Sequence, residues 1–146
     1  MQRLFVWRVG LQNFAMPFPA VLKVVRAVAL TEVPVGAPFV CGVINMHGAI
    51  VPVIDVRRRF KLPQRTLVPA DHFIIVRTPQ RTLALWVDAA HGVVECPDEI
   101  MIQEEATIPG RGSPAGFCRL PDGLVLLHDL EQCLAAGDGL PAELGQ

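Results

Sequence analysis

The chain has 146 residues; 51% are hydrophobic, 18% are charged, and the formal net charge is −1 at pH 7. A chain of this length buries about 70% of its extended surface, so it folds without staples, and its greasy composition argues against bulk disorder. A balance so near neutrality gives no support to nucleic acid or an anionic bilayer as the main partner.

Twelve glycines and thirteen prolines punctuate the chain, which suits short strands better than long helices. Residues 3–9 read as a strand with Leu4 and Val6 on one face and Phe5, Trp7 and Val9 on the other. Residues 10–13 turn, and 14–18 return. Residues 19–26 fit either a helical turn or a strand. Residues 39–46 are rich in Val and Ile, His47-Gly48 turns, and 49–54 form the partner strand. Asp55 caps a helical turn over the following Val-Arg-Arg-Arg-Phe. Residues 72–77 and 81–87 form a further hairpin. Residues 116–120 and 124–127 form another around Pro121-Asp122-Gly123, and Asp129 caps a helix over 130–136. The domain spans 1–136, and 137–146 read as a flexible C-terminal tail.

The most apolar stretch, 37–56, is interrupted by Asn45, His47, Pro52 and Asp55. It falls short of the ~18 uninterrupted apolar residues that a spanning helix requires. Arg3 and Arg8 flank an apolar run too short for a signal-peptide core. The chain reads as cytoplasmic, with no membrane insertion.

Two pairs of segments look alike. The stretch from Phe5 aligns with that from Phe73, each a strand, a polar turn, a strand and a Val-Val pair. The stretch from Gly42 aligns with that from Gly116, each a hairpin ending in Asp before an aliphatic residue. The period is roughly 70 residues, as an internal duplication would leave. It predicts an all-β fold of two small barrels, with core residues drawn from Val43, Ile50, Val53, Leu124, Val125 and Leu126.

Catalytic signatures do not assemble. Ser113 is the only serine, and Arg111 occupies the first glycine position of a nucleophile elbow. There is no phosphate-binding Gly-Lys-Ser/Thr. His47, His72, His91 and His128 have no metal-ligand spacing, and Cys41, Cys96, Cys118 and Cys133 form no Cys-x-x-Cys pair. Arg57, Arg58 and Arg59 read as a surface patch. The residues thus point to a binding module that is not an enzyme and carries no cofactor or metal. The alternative is a redox- or metal-sensing β module using Cys and His. Hydrophobic content this high in so small a chain also predicts apolar side chains left exposed for a partner.

The segment PFVCGVINMHGAIVPVIDVRRRF, residues 38–60, resembles the signature hairpin of the CheW-like domain family. The opening hairpin with Phe14-Ala15-Met16-Pro17, the stretch LALWVDAAHGVVE from Leu83, and GFCRLPDGLVLLHDLEQCL are similar to the family's flanking blocks in order, covering about residues 3–135. The resemblance implies two intertwined five-stranded SH3-like barrels with a groove between them and one or two short helices. It implies a stand-alone adaptor with two partners: the regulatory domain of a CheA-type histidine kinase and the cytoplasmic tip of a methyl-accepting chemoreceptor. Val21, Lys23, Gly42, His47 and Gly48 correspond to the receptor-facing positions.

Two of these positions depart from the family. Its Asn-Leu-Arg-Gly reads Asn45-Met46-His47-Gly48, and a position that is usually Glu is Lys23. One charge is reversed, and a permanent cation becomes an imidazole. Both drift at exposed positions and a re-specified partner, with an output other than swimming, account for this.

Overall fold

The computed structural model describes residues 2–32, 39–78, 81–96, 101–103, 116–120 and 123–127, the last three segments by their backbone. The expected helix over 130–136 and the tail lie outside the described residues, as do the side chains of Leu124, Val125 and Leu126.

Eleven strands are described: β1 (Gln2–Val9), β2 (Gln12–Pro17), β3 (Val21–Arg26), β4 (Val40–Met46), β5 (Ala49–Asp55), β6 (His72–Arg77), β7 (Thr82–Val87), β8 (Ala89–Cys96), β9 (Met101–Gln103), β10 (Gly116–Leu120) and β11 (Gly123–Leu127). The ambiguous stretch after residue 18 is both things in turn, a 3-10 turn at Phe18–Ala20 and then β3. A single helical turn, α1 (Val56–Arg59), follows β5, and the Asp55 carboxylate accepts the Arg58 N–H at 3.2 Å as its cap.

The strands form two sheets, ordered β8-β1-β2-β11-β10-β9 and β3-β6-β7-β5-β4. The short strand β9 makes the first sheet six-stranded where five were expected; three residues give too little alternation to read as a strand. Both sheets follow one plan. Each has a central hairpin, β1–β2 or β6–β7, whose second strand lies parallel to the last strand of the hairpin beyond it. Ala15 faces Leu127 across one parallel pair, and Ala84 faces Val53 across the other. Gly42 faces Val53, and Gly116 faces Leu127. In β3 and β8, the edge strands beside the two central hairpins, a bulge leaves Leu22 and His91 respectively out of the pairing. The sheets are interleaved along the chain: the hairpin β1–β2 joins strands from the second half, and β6–β7 joins strands from the first.

This arrangement buries both faces of the central strands. Phe5, Trp7, Val9, Phe14 and Met16 of the first sheet meet Ile74, Val76, Leu83, Leu85 and Val87 of the second in one apolar layer. Trp7 stacks on Phe14 with ring centroids 4.7 Å apart. On the far face of the second sheet, Ile44, Val51, Val53, Phe73, Ile75, Ala84 and Trp86 form a separate core. The second sheet closes on itself: Thr31, beyond β3, exchanges backbone hydrogen bonds of 3.0 and 2.9 Å with Val43 of the opposite edge strand β4. Of the expected core residues with described side chains, Val43 and Val53 are buried. Ile50 is 38% exposed, because it pairs with Asn45 next to the hairpin turn, where the sheet ends.

Candidate partner-binding surface

The β4–β5 connection has two residues, His47 and Gly48, between the paired Met46 and Ala49. Both have positive φ, 54° and 91°, as the tightest hairpin turns demand. Glycine supplies one of these at no steric cost; His47 bears the strain of the other. Asn45 holds the turn from within, its side-chain oxygen accepting the Gly48 N–H at 2.8 Å. His47 is exposed at the end of the hairpin.

Lys23 stands on β3, at the other edge of the same sheet. Closure brings the edges together, and Lys23 Nζ lies 3.4 Å from His47 Nε2. A lysine only donates, so this contact is a hydrogen bond when His47 carries its proton on Nδ1. Leu22, the bulge residue beside Lys23, is 54% exposed, and Ile50 lies beyond the turn. An exposed cation, an exposed imidazole and two exposed aliphatic side chains thus crowd one end of the second sheet.

The other resemblance-derived positions have different settings. Val21 is half-buried and packs against the layer between the sheets. Gly42 is buried, and a Cβ there would stand 2.9 Å from the Thr31 carbonyl oxygen and 3.0 Å from Leu30 Cβ. Its lack of a side chain admits the strand that closes the sheet.

A second constellation was not anticipated from the sequence. Arg57, read as part of a surface patch, is 5% exposed. It is the first arginine of α1, and the turn aims it inward, where its NH2 donates to both Asp88 carboxylate oxygens at 2.7 and 2.8 Å. Asp88 also accepts the Gly10 N–H at 2.7 Å and Arg65 NH2 at 2.7 Å. Arg65 forks onto Asp71 at 2.9 and 2.6 Å, and Asp71 accepts the Trp86 indole N–H at 2.9 Å. Burial alone would raise both carboxyls. The Arg65 fork and the Val68 and Trp86 N–H groups reverse this and hold Asp71 down at about 2. The Gly10 N–H and Arg57 likewise hold Asp88 below the usual carboxylate range. The network ties the β1–β2 turn of one sheet to α1 and the 61–71 loop beside the other. The only sequence signal was an Asp in each of two Val-rich contexts, which gives no hint of its partner.

Cys41 is half-buried with Sγ 3.6 Å from the Val53 carbonyl oxygen; burial, then the nearby Asp55, pushes its thiol up to about 12. Such a thiol is a poor redox group. Among the described residues, no three His, Cys, Asp or Glu side chains converge as a metal cluster, and no helix is long and apolar enough to cross a membrane. Ser113, His128 and Cys133 lie outside the described residues.

Comparison with known proteins gives a consistent family. The model for the CheW-like domain matches residues 3–137. The chemotaxis protein CheW of Bacillus subtilis is 30% identical over 93 residues, 64% of this chain and 60% of that one. Protein FrzA of Myxococcus xanthus is 28% identical over 96 residues, 66% of this chain and 60% of that one. In both cases the match spans less than two thirds of the relative's length. The crystal structure of the scaffolding protein TtCheW from Thermoanaerobacter tengcongensis superimposes with a TM-score of 0.81, covering 88% of each chain at 24% identity. At that identity the likeness speaks for the fold alone.

Proposed function

This chain belongs to the CheW-like domain family, and on that premise we propose that it is a non-enzymatic adaptor coupling chemoreceptors to a CheA-type histidine kinase in a chemosensory pathway. The observation that carries the reading is the end of the second sheet. There the family's signature hairpin presents His47 beside Lys23, flanked by Leu22 and Ile50. A rigid two-residue turn on a closed sheet suits recognition, because little entropy is lost when its side chains are engaged. Lys23, His47 and Gly48 face the receptor in this proposal; Val21 and Gly42 hold the strands that carry them. The exchanged charges fit a receptor other than that of standard chemotaxis, in a pathway with a non-flagellar output.

Calorimetry of the full chain tests this against two partners from the same organism: the regulatory domain of its CheA-type kinase and the cytoplasmic tip of its chemoreceptor. Both should bind with dissociation constants below ~100 μM, the range of weak signalling contacts. Absence of both at that concentration would overturn the adaptor reading.

A further inference from the structure

A cleft of about 630 Å³ opens between the β1–β2 turn and the loop after α1. The described residues that line it include Leu11, Arg57, Leu62, Pro63, Arg65 and Asp88. None belongs to the receptor-facing positions. From its chemistry we infer that this cleft is a second docking site, which takes an acidic, leucine-bearing peptide segment of a partner protein.

Two observations set the chemistry of the occupant. The first is Leu11. The β1–β2 loop is Gly10-Leu11 between the paired Val9 and Gln12, and Gly10, with φ of 61°, meets the turn's conformational demand. Leu11 is fully exposed at the tip. The turn does not require an apolar side chain there, and such positions are ordinarily polar. Leu62 and Pro63 stand on the other side of the cleft. The opening therefore has an apolar rim on both sides, suited to a leucine-sized side chain.

The second is the distribution of charge. The carboxylates of the network are withdrawn: Asp71 is 3% and Asp88 11% exposed. Of the guanidiniums that pair with them, Arg57 is withdrawn as well, at 6%, but Arg8 at 41% and Arg65 at 34% reach the surface. Arg57 NH1 is buried with no acceptor, so the network holds more donors than its carboxylates satisfy. Among the described residues, the cleft thus shows cations outward and hides its anions. An acidic segment matches that pattern, and a basic one would face Arg65 in the cleft and Arg8 beside it, whose NH1 donates to the Gly10 carbonyl at 2.8 Å.

The test titrates the full, isotope-labelled chain with three capped eight-residue peptides: alternating Leu and Glu, alternating Leu and Lys, and alternating Ser and Glu. The Leu/Glu peptide should shift the backbone amide resonances of Gly10, Leu11 and Arg65, and its binding should weaken severalfold from 50 to 300 mM salt as the charges are screened. Replacing Leu11→Ser should weaken it about tenfold or more through lost apolar burial, with the thermal midpoint unchanged. Equal binding of the Leu/Lys peptide, or equal binding by the Leu11→Ser protein, would overturn the inference. So would shifts confined to Lys23 and His47, or binding to anionic lipid vesicles in place of the peptide. None of these outcomes bears on the kinase and receptor titrations above.

Discussion

Arg57 and Asp88, 31 positions apart, meet in a double hydrogen bond of 2.7 and 2.8 Å that anchors α1 to the β1–β2 turn through the Gly10 N–H. Both side chains are almost wholly withdrawn from water, at 6% and 11% exposure. A buried pair of this kind is a weak source of net stability, but removing one partner strands the other. Asp88→Ala should therefore cost ~3 kcal/mol in urea unfolding, since it leaves Arg57 buried and uncompensated. Replacing both, Arg57→Leu with Asp88→Ala, should recover part of that loss. A double variant as unstable as the sum of the single ones would show that the two do not act as a pair.

Asp71 makes the same network sensitive to acid. Its carboxyl is held at about 2 in the folded chain, against an ordinary 3.8. The unfolded chain takes up the proton first as pH falls, so the contribution is complete above about pH 4 and is lost through about pH 2. The difference is worth about 2 kcal/mol. Asp71→Asn should flatten the fall in stability over that interval, measured by denaturant unfolding at several pH values. A parallel fall in both proteins would place the acid sensitivity elsewhere.

Gly42 controls closure of the second sheet. An added methyl at that position would press on the Thr31 carbonyl at 2.9 Å, a backbone atom with little room to give. Gly42→Ala should cost ~1–3 kcal/mol by overpacking. It should also speed exchange of the Thr31 and Val43 amides, which bond across the closure. Unchanged protection there would show that the segment around Thr31 yields without opening.

Val53 and Ile50 share a strand and separate burial from hydrophobicity. Val53 is wholly buried; Ile50 is 38% exposed. Val53→Ala should cost ~1–3 kcal/mol through lost contacts and a residual cavity. Ile50→Ala should cost within about 0.5 kcal/mol, as surface changes usually do. Equal losses in thermal unfolding would mean that Ile50 is a core residue after all.

The contrast between these two residues also shows where sequence reading stops. Alternation placed Phe5, Trp7 and Val9 on one face of β1 correctly, because a period of two is a local property. The Asp55 cap and the His47-Gly48 turn were legible for the same reason: each is decided within four residues. Ile50 continues the pattern of a buried strand, and only the sheet's end at the turn exposes it. Arg57 was misread because the adjacent Arg58 and Arg59 suggested one solvated run. Its inward direction depends on Asp88, a residue supplied by another part of the fold. The contact between Lys23 and His47 was likewise invisible, since it exists only once β3 and β4 close the sheet from opposite edges.

That contact sets the charge of the surface around the hairpin end. In the family pattern, Glu and Arg occupy the two positions, and in this chain a cation faces an imidazole at 3.4 Å. An opposite-charge pair neutralises itself, whereas Lys23 beside an imidazole meets no opposite charge from that partner and leaves a positive charge on an exposed surface. Such a surface favours an acidic partner and disfavours a basic one, which makes it a device of partner choice more than of affinity. Lys23→Glu with His47→Arg restores the family pairing without touching the buried Gly42 or the turn glycine Gly48. The double variant should bind the chain's own receptor tip more weakly and a conventional chemoreceptor tip more strongly. Each shift should be ~1 kcal/mol, the scale of exposed charges, and should shrink as salt rises. Calorimetry at low and high salt reads both. Indistinguishable affinities of the original and doubly substituted proteins for both receptors at low salt would mean that the two exchanges are drift at a surface that does not select the partner.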